Sequence, residues 1–249
     1  MPFENGITTR EESYWWGFLI GDGNLARGRN RISLAAGQQD MPHFLRMKEF
    51  IGMGRIIPFP ERCVTYIVEN KVLTNNLRAI GLEPAKTYTI DKKLTPTNYP
   101  ADFYRGLFDS DGSLFVRDNH CILRWNGTMS MMEGIKGHFD NKIEKSPNVW
   151  KDRNIYCWGV HSRFKAEIIG KEIWNNPTIC LDRKYELVKK LYEINEQHPV
   201  QGHTLDISNI KESRQNGISL KEVAEKHHIS VSHVSRIANG QRYKHLNSR

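Results

Sequence analysis

Two aspartates set the chemistry of this chain. Asp22 closes the run Trp15-Trp16-Gly17-Phe18-Leu19-Ile20-Gly21-Asp22-Gly23, and Asp111 closes Tyr104-Arg105-Gly106-Leu107-Phe108-Asp109-Ser110-Asp111-Gly112. Both runs are apolar and helical in character, both carry glycine at the third position, and both end in Asp-Gly. The acids lie 111 − 22 = 89 residues apart, so the pair marks a duplication of domain length rather than a short solenoid repeat. A carboxylate at the C-terminal end of a helix sits where the macrodipole is already negative. Two such ends side by side repel unless a cation lies between them. Hard divalent ions suit that place: Mg²⁺ first, with Mn²⁺ or Ca²⁺ able to stand in, because they take oxygen ligands and keep waters for chemistry. Ions shared by two carboxylates can activate a water and stabilise a leaving oxygen in phosphodiester hydrolysis. A single Asp-Gly is an ordinary helix end; its recurrence with the same glycine is what capping does not explain. An EF-hand reading of Asp109–Gly112 fails on the position of its glycine and the missing Glu at the twelfth place.

The elements that would position these acids repeat as well. Gly17 and Gly106 lack a side chain and let two backbones approach, while Gly23 and Gly112 suit the left-handed conformation that ends a helix. After the first motif, Asn24 to Ala36 alternates around the turn-like Arg27-Gly28-Arg29-Asn30. Pro42–Ile51 has helical spacing, Arg55–Pro58 and Cys63–Val68 are β-type runs, and Val72–Ile80 reads as a helix closed by Gly81. The second half repeats the order: Leu114–Arg117 and Cys121–Trp125 as strands, Met131–Ile143 as a helix, Val149–Lys151 and Ile155–Val160 as strands, Lys165–Trp174 and Arg183–Asn195 as helices. The fold class expected is therefore α+β, two pseudo-symmetric αββαββα repeats (residues 1–100 and 101–195). A polar linker (196–204) and a small all-α module (205–249) follow.

The paired motifs within these repeats resemble the LAGLIDADG homing endonucleases in their single-chain, two-motif form, over about residues 13–195. That resemblance implies a site-specific endonuclease that cuts both strands across the minor groove of a long target, leaves short 3′ overhangs and serves intron or gene mobility. It places the metal-binding acids on Asp22 and Asp111, with main-chain carbonyls of Gly21 and Ser110 toward the metals. It also implies one basic residue per half near the scissile phosphate, here Lys86 in Gly81-Leu82-Glu83-Pro84-Ala85-Lys86-Thr87 and Lys184 in Leu181-Asp182-Arg183-Lys184-Tyr185. Gln38 and Thr128, at corresponding places after the second strand of each half, are candidates to hold waters. Trp15-Trp16 and Tyr104-Arg105 depart from the family's Leu-Ala opening, and Ile20 stands where the second half has Asp109. These departures predict an asymmetric site that keeps its activity.

In such a fold the curved sheets lie in the major groove, and their hairpins carry the side chains that contact bases. The candidates are Arg27, Arg29, Asn30, Arg31, Arg55 and Arg62 in the first half, and Arg117, Asn119, His120, Arg124, Asn126, Lys151, Arg153 and Asn154 in the second. The module beyond Gly202 looks like a helix-turn-helix over Ile218–Gly240. Ser219 and Ser230 are its N-caps, and Leu220, Val223, Ile229, Val234 and Ile237 its core. His228 holds the turn position usually given to glycine. Ser232, His233 and Arg236 would enter the major groove, with Arg242 and Lys244 on phosphates. This tail supplies +4 (eight Lys and Arg against four Asp and Glu) of the formal net charge of +8, a balance that favours a polyanionic partner.

Double-stranded DNA is the partner expected, and the pseudo-twofold chain is expected to act as a monomer. Neither a signal segment nor a membrane span is legible, so a cytoplasmic protein is expected. The four cysteines form no C-x-x-C pair and read as free thiols; the ten histidines show no metal-ligand spacing. Two alternatives share the scaffold: a non-cleaving DNA-binding regulator and an intron RNA maturase.

Overall fold

Glu12 decides where the first motif helix begins. α1 (Arg10–Asp22) starts at Thr9, whose side chain accepts the Glu12 N–H while the Glu12 carboxylate accepts the Thr9 N–H. The same carboxylate accepts from the Phe3 and Thr8 N–H groups and folds the N-terminal segment onto the helix. The computed structural model describes residues 1–60, 62–84, 97–117, 120–197, 207–227 and 230–240. The chain divides into two compact units, 1–194 and 195–249.

The first unit contains two copies of one arrangement. In the first, α1 is followed by β1 (Asn24–Leu25), β2 (Arg31–Ala36), α2 (Met41–Ile51), β3 (Arg55–Phe59), β4 (Cys63–Glu69) and α3 (Lys71–Ala79). In the second, α4 (Pro100–Asp111) is followed by β5 (Ser113–Arg117), β6 (His120–Gly127), α5 (Met129–Phe139), β7 (Trp150–Asp152), β8 (Ile155–Val160) and α6 (Arg163–Ile173), and α7 (Asp182–Gln197) completes it. The antiparallel sheets have matching strand orders, β1-β2-β4-β3 and β5-β6-β8-β7. Each thus stacks two hairpins with the motif-proximal strand at one edge. One face of each sheet is covered by helices: Leu34, Val64 and Tyr66 in the first and Leu123, Trp125 and Trp158 in the second belong to one continuous core. The other face is open, and strand alternation assigns it Ser33, Ala35, Thr65 and Ile67 in the first sheet and Phe115, Ile122 and Arg124 in the second.

The two copies meet along α1 and α4. A Cβ on Gly17 would lie 2.1 Å from the Phe103 carbonyl oxygen, and one on Gly106 1.9 Å from that of Tyr14. Only glycine allows main chain to touch main chain here. The motif-ending glycines do something other than expected. Gly23 (φ −67°, ψ 130°) and Gly112 (φ −84°, ψ 160°) are extended, not left-handed. They are glycine for space: a Cβ at either would press on the carbonyl of the residue four back, 2.5 Å from Leu19 O and 2.6 Å from Phe108 O.

The unusual motif openings are packing solutions. Trp15 and Trp16 are fully buried. Arg105 is buried too, with its guanidinium donating to the Ile179 and Ile173 carbonyls, each at 2.7 Å, and to Asp102, which also receives Arg10 of α1 at 2.9 Å. Further ion pairs carry α7 of the second copy onto the first: Arg46 with Asp182 at 2.8 Å, and Arg183 with Asp40 at 2.8 Å.

The second unit, described by itself, holds α8 (Ile207–Gln215), α9 (Leu220–Lys226) and α10 (Val231–Ala238) around Ile207, Ile210, Val223, Ala224, Val234 and Ile237. Ser219 and Ser230 accept the N–H groups of Glu222 and His233 as N-caps. The helix α8 was not foreseen; its two isoleucines supply the third wall of this small core. His228 and Ile229 lie outside the described residues. Among the described residues, no helix is long and apolar enough to cross a membrane, and all four cysteines are free.

Candidate active site

The close packing of α1 on α4 brings the motif ends together. A Cβ on Gly21 would fall 1.9 Å from Ser110 Oγ and 3.0 Å from Asp111 Oδ2, so the Asp111 carboxylate lies against the backbone beside Asp22. Both acids are exposed, whereas Asp109, two residues back and in register with Ile20, is buried. Two solvent-facing carboxylates therefore stand at two adjacent negative helix ends, an arrangement of oxygen donors that invites a hard cation. Among the described residues, no cluster of three or more His, Cys, Asp or Glu side chains could hold a metal. A site here would use two carboxylates, main-chain oxygens and waters, which fits Mg²⁺, an ion that keeps several waters and needs few protein ligands.

Beneath Asp111 the second copy has a buried cation. Lys184, at the start of α7 and 4% exposed, donates to the main-chain oxygens of Phe108 (2.6 Å), Asp109 (2.8 Å), Gly112 (2.7 Å) and, more weakly, Ser110 (3.4 Å). An ammonium has three protons, and here main-chain carbonyls take them. Lys184 thus caps the C-terminal end of α4 from the side, a favourable placement for a cation on a helix dipole. The expectation of a lysine open to a phosphate is not what this geometry offers: the head group faces the helix end. Burial lowers its pKa to about 8, against the opposing pull of Asp109, Asp22 and Asp111.

Asp109 belongs to a buried polar chain. Its Oδ2 accepts from the Tyr14 hydroxyl at 2.8 Å and the Leu181 N–H at 2.7 Å, and the Tyr14 hydroxyl lies 2.9 Å from His43 Nε2. Burial raises the Asp109 pKa to about 6, resisted by Lys184 and these two donors. It lowers that of His43 to about 3. Sequence reasoning missed this chain, because Tyr14, His43 and Asp109 lie on three helices. The only local signal was an acid two residues before Asp111.

The remaining candidates scatter. Lys86 lies outside the described residues. Gln38 donates to the Phe59 carbonyl at 2.8 Å, and Thr128 is the N-cap of α5. The two are not equivalent either. Asn24 pairs with Ser33 but Ser113 with Arg124, so the second hairpin is two residues longer and Thr128 corresponds to Gly37. A water-holding role for this pair has no support in their contacts. Asn126, expected at a base edge, instead donates to the Asp111 carbonyl at 3.1 Å and accepts from the Cys157 thiol. It steadies the second motif end.

The other sheet candidates sort by face. Arg31 and Arg55 are on the open face of the first sheet, each about 4 Å from Glu69. Arg27, Arg29, Asn30 and Arg62 are exposed at hairpin tips, although Asn30 also accepts from Thr74 and the Asn70 N–H. In the second sheet Arg117, His120 and Arg124 share the open face, with Arg124 3.6 Å from Asp152. Lys151 pairs with Tyr156 and lies over its ring, on the opposite side of the pleat from Trp150. This takes Lys151 off the open face. Arg153, with positive φ (55°), and exposed Asn154 form the tip. Asn119 lies outside the described residues. In the second unit Ser232 and Arg236 are exposed on the side of α10 away from Val234 and Ile237, and His233, one turn before Ile237, is half-buried at the edge of the core; Arg242 and Lys244 lie outside the described residues.

Two four-stranded sheets flanking a pair of glycine-packed helices, with an acid at each helix end, constitute the two-repeat LAGLIDADG endonuclease fold. Solved structures bear this out. The meganuclease I-SmaMI bound to uncleaveable DNA aligns over 81% of this chain and 95% of its own, at 13% identity and a TM-score of 0.57. The LAGLIDADG meganuclease I-AabMI bound to uncleaved DNA aligns over 94% and 99%, at 11% identity and 0.53. The homing endonuclease I-GzeII in complex with its DNA target aligns over 78% and 92%, at 10% identity and 0.55. No family model and no curated protein matches the chain.

Proposed function

We propose that this protein is a site-specific, divalent-metal-dependent DNA endonuclease that cuts both strands of a long duplex target across its minor groove, leaving short 3′ overhangs. The observation that carries this reading is the pair of exposed acids, one from each copy, at adjoining helix ends. It is supported by the fold shared with meganucleases solved on DNA. Asp22 and Asp111 would hold Mg²⁺, with the Gly21 and Ser110 carbonyls on the same rim. When bound, the ion would lower the pKa of a water and offset charge on the phosphate. The chain's own groups supply the frame: Gly17 and Gly106 set the separation of the acids, Lys184 offsets the helix end beneath Asp111, and Asn126 holds the Asp111 main chain. The basic hairpin residues would follow the major groove on either side. Residues 205–249 would act as a helix-turn-helix, with Ser232, His233 and Arg236 toward bases and Arg242 and Lys244 on phosphates, lengthening the site by tethering. Mobility of an intron or of the gene itself is the biological role this activity would serve.

Selection of cleaved sites from a random duplex library in Mg²⁺ tests the activity and yields the target. Asp22→Asn and Asp111→Asn should each abolish cutting while gel-shift affinity for the selected duplex stays within a few-fold. Full cutting by either variant would refute the catalytic assignment, and shifted bands without cutting by the unaltered chain would favour a non-cleaving regulator.

A further inference from the structure

The open face of the second sheet carries apolar side chains that the arginine count does not explain. Phe115 is 52% exposed and pairs across the ladder with Ile122. With Trp150 and His161, whose rings are 6.3 Å apart, they line a recess of about 340 Å³ beside Ser113 and Arg124. Ile155, 40% exposed, continues this surface. Its surroundings are basic: Arg117 and Arg124 share the face, and among the described residues on it Asp152 is the one acid. The first sheet differs at the matching rung. Two residues beyond Asn24 and Ser113, the second copy shows Phe115 opposite Ile122, where the first shows Ala26 opposite Arg31.

An exposed phenyl group within a basic face gains nothing from phosphates. The apolar feature that a duplex presents in its major groove is the C5-methyl group of a pyrimidine, and phenylalanine contact is one way of reading it. We propose that the Phe115–Ile122–Trp150 surface recognises pyrimidine C5-methyl groups in the half of the target under the second sheet. The proposal rests on the DNA reading above and names a determinant within it. Thymine and 5-methylcytosine both carry the group; a second copy of the chain is the competing occupant. The cationic rim favours a polyanion over another strongly basic protein.

The test uses the full chain. Sites bound in Ca²⁺ are selected from a random duplex library, and the selected duplex is remade with deoxyuridine for thymidine in one half at a time. Uracil in one half should weaken binding about fourfold for each contacted methyl lost, the factor corresponding to about 0.8 kcal/mol per buried group. Phe115→Ser, an exposed position, should erase the distinction between thymine and uracil. At a contacted position changed to cytosine, 5-methylcytosine should outbind cytosine by the same factor, separating the methyl group from the rest of the base. Equal affinity for uracil and thymine duplexes, or a thymine preference that survives Phe115→Ser, would overturn the proposal while leaving the DNA reading intact. Failure to select any sequence would overturn both. Loss of self-association in Phe115→Ser with unchanged discrimination would assign the surface to a second copy instead.

Discussion

The two copies share strand order, glycine contact and terminal acid, yet stand on different foundations. Under Asp22 the first copy has Ile20, buried among hydrophobic side chains. Under Asp111 the second has Asp109, Lys184 and a hydroxyl–imidazole chain reaching into the first copy. Ala35, the register equivalent of Asn126, offers no side-chain hydrogen bond to the first motif end. A duplicated fold therefore keeps the geometry at its contact line symmetric, where backbone touches backbone. It lets the support behind each acid diverge between apolar packing and a compensated charge cluster.

The largest test of that comparison is the contact line itself. Gly17→Ala and Gly106→Ala should be equally damaging, because each Cβ meets a carbonyl at about 2 Å. Neither backbone can yield, so each change should cost several kcal/mol, roughly 3 or more, in urea unfolding and should abolish cutting. A clear difference between the two would show that the interface is not symmetric. Next comes Lys184→Met, which leaves Asp109 and four carbonyls without their cation. A loss of about 2–3 kcal/mol is expected, because the buried carbonyls lose a charged donor and Asp109 a neighbouring cation. Asp109→Asn combined with Lys184→Met should recover part of it, a double-mutant cycle that measures the coupling.

Acid should weaken the fold through His43. Its native pKa, about 3, is below the ordinary 6.5, so the unfolded chain binds the extra proton. Its contribution is complete above pH 6.5 and is lost as pH falls from there toward 3. Asp109 acts in the opposite sense: raised from 3.8 to about 6, it protonates first in the folded state and adds stability as pH drops through that interval. His43→Gln should therefore flatten or reverse the acid side of the urea-midpoint profile, and an unchanged profile would remove His43 from the account. The smallest expected effect is Asn126→Ala, a loss of about 1 kcal/mol or less in stability with a several-fold fall in cleavage rate. Ala35→Ser in the first copy should be nearly silent.

Much of this architecture was legible because duplication doubles every signal. Strand and helix order, the two acids and the glycines at positions 17 and 106 follow from a pattern seen twice. What escaped depends on atoms far apart in the chain. Lys184 reads as a basic residue in a familiar segment, but its destination depends on α7 being pinned by Arg46 and Asp40. The equivalence of Gln38 with Thr128 failed because two residues inserted in one hairpin shift the register without disturbing alternation. Gly23 and Gly112 were read by backbone angle, while the structure uses their missing volume. Phe115 and Ile122 lay within runs read only as strands, since a strand pattern alone does not say which face a helix will cover.

The reciprocal pairing of Arg46 with Asp182 and Arg183 with Asp40 also bears on modularity. The last helix of the second copy is fastened to the first, so the halves are not interchangeable building blocks. A chimera joining either half to a foreign partner would have to import the two side chains of the missing half, or strand one cation and one carboxylate at the new junction. Engineering that exchanges halves to combine specificities should therefore place its crossover after α7 is accounted for, treating that helix as property of both.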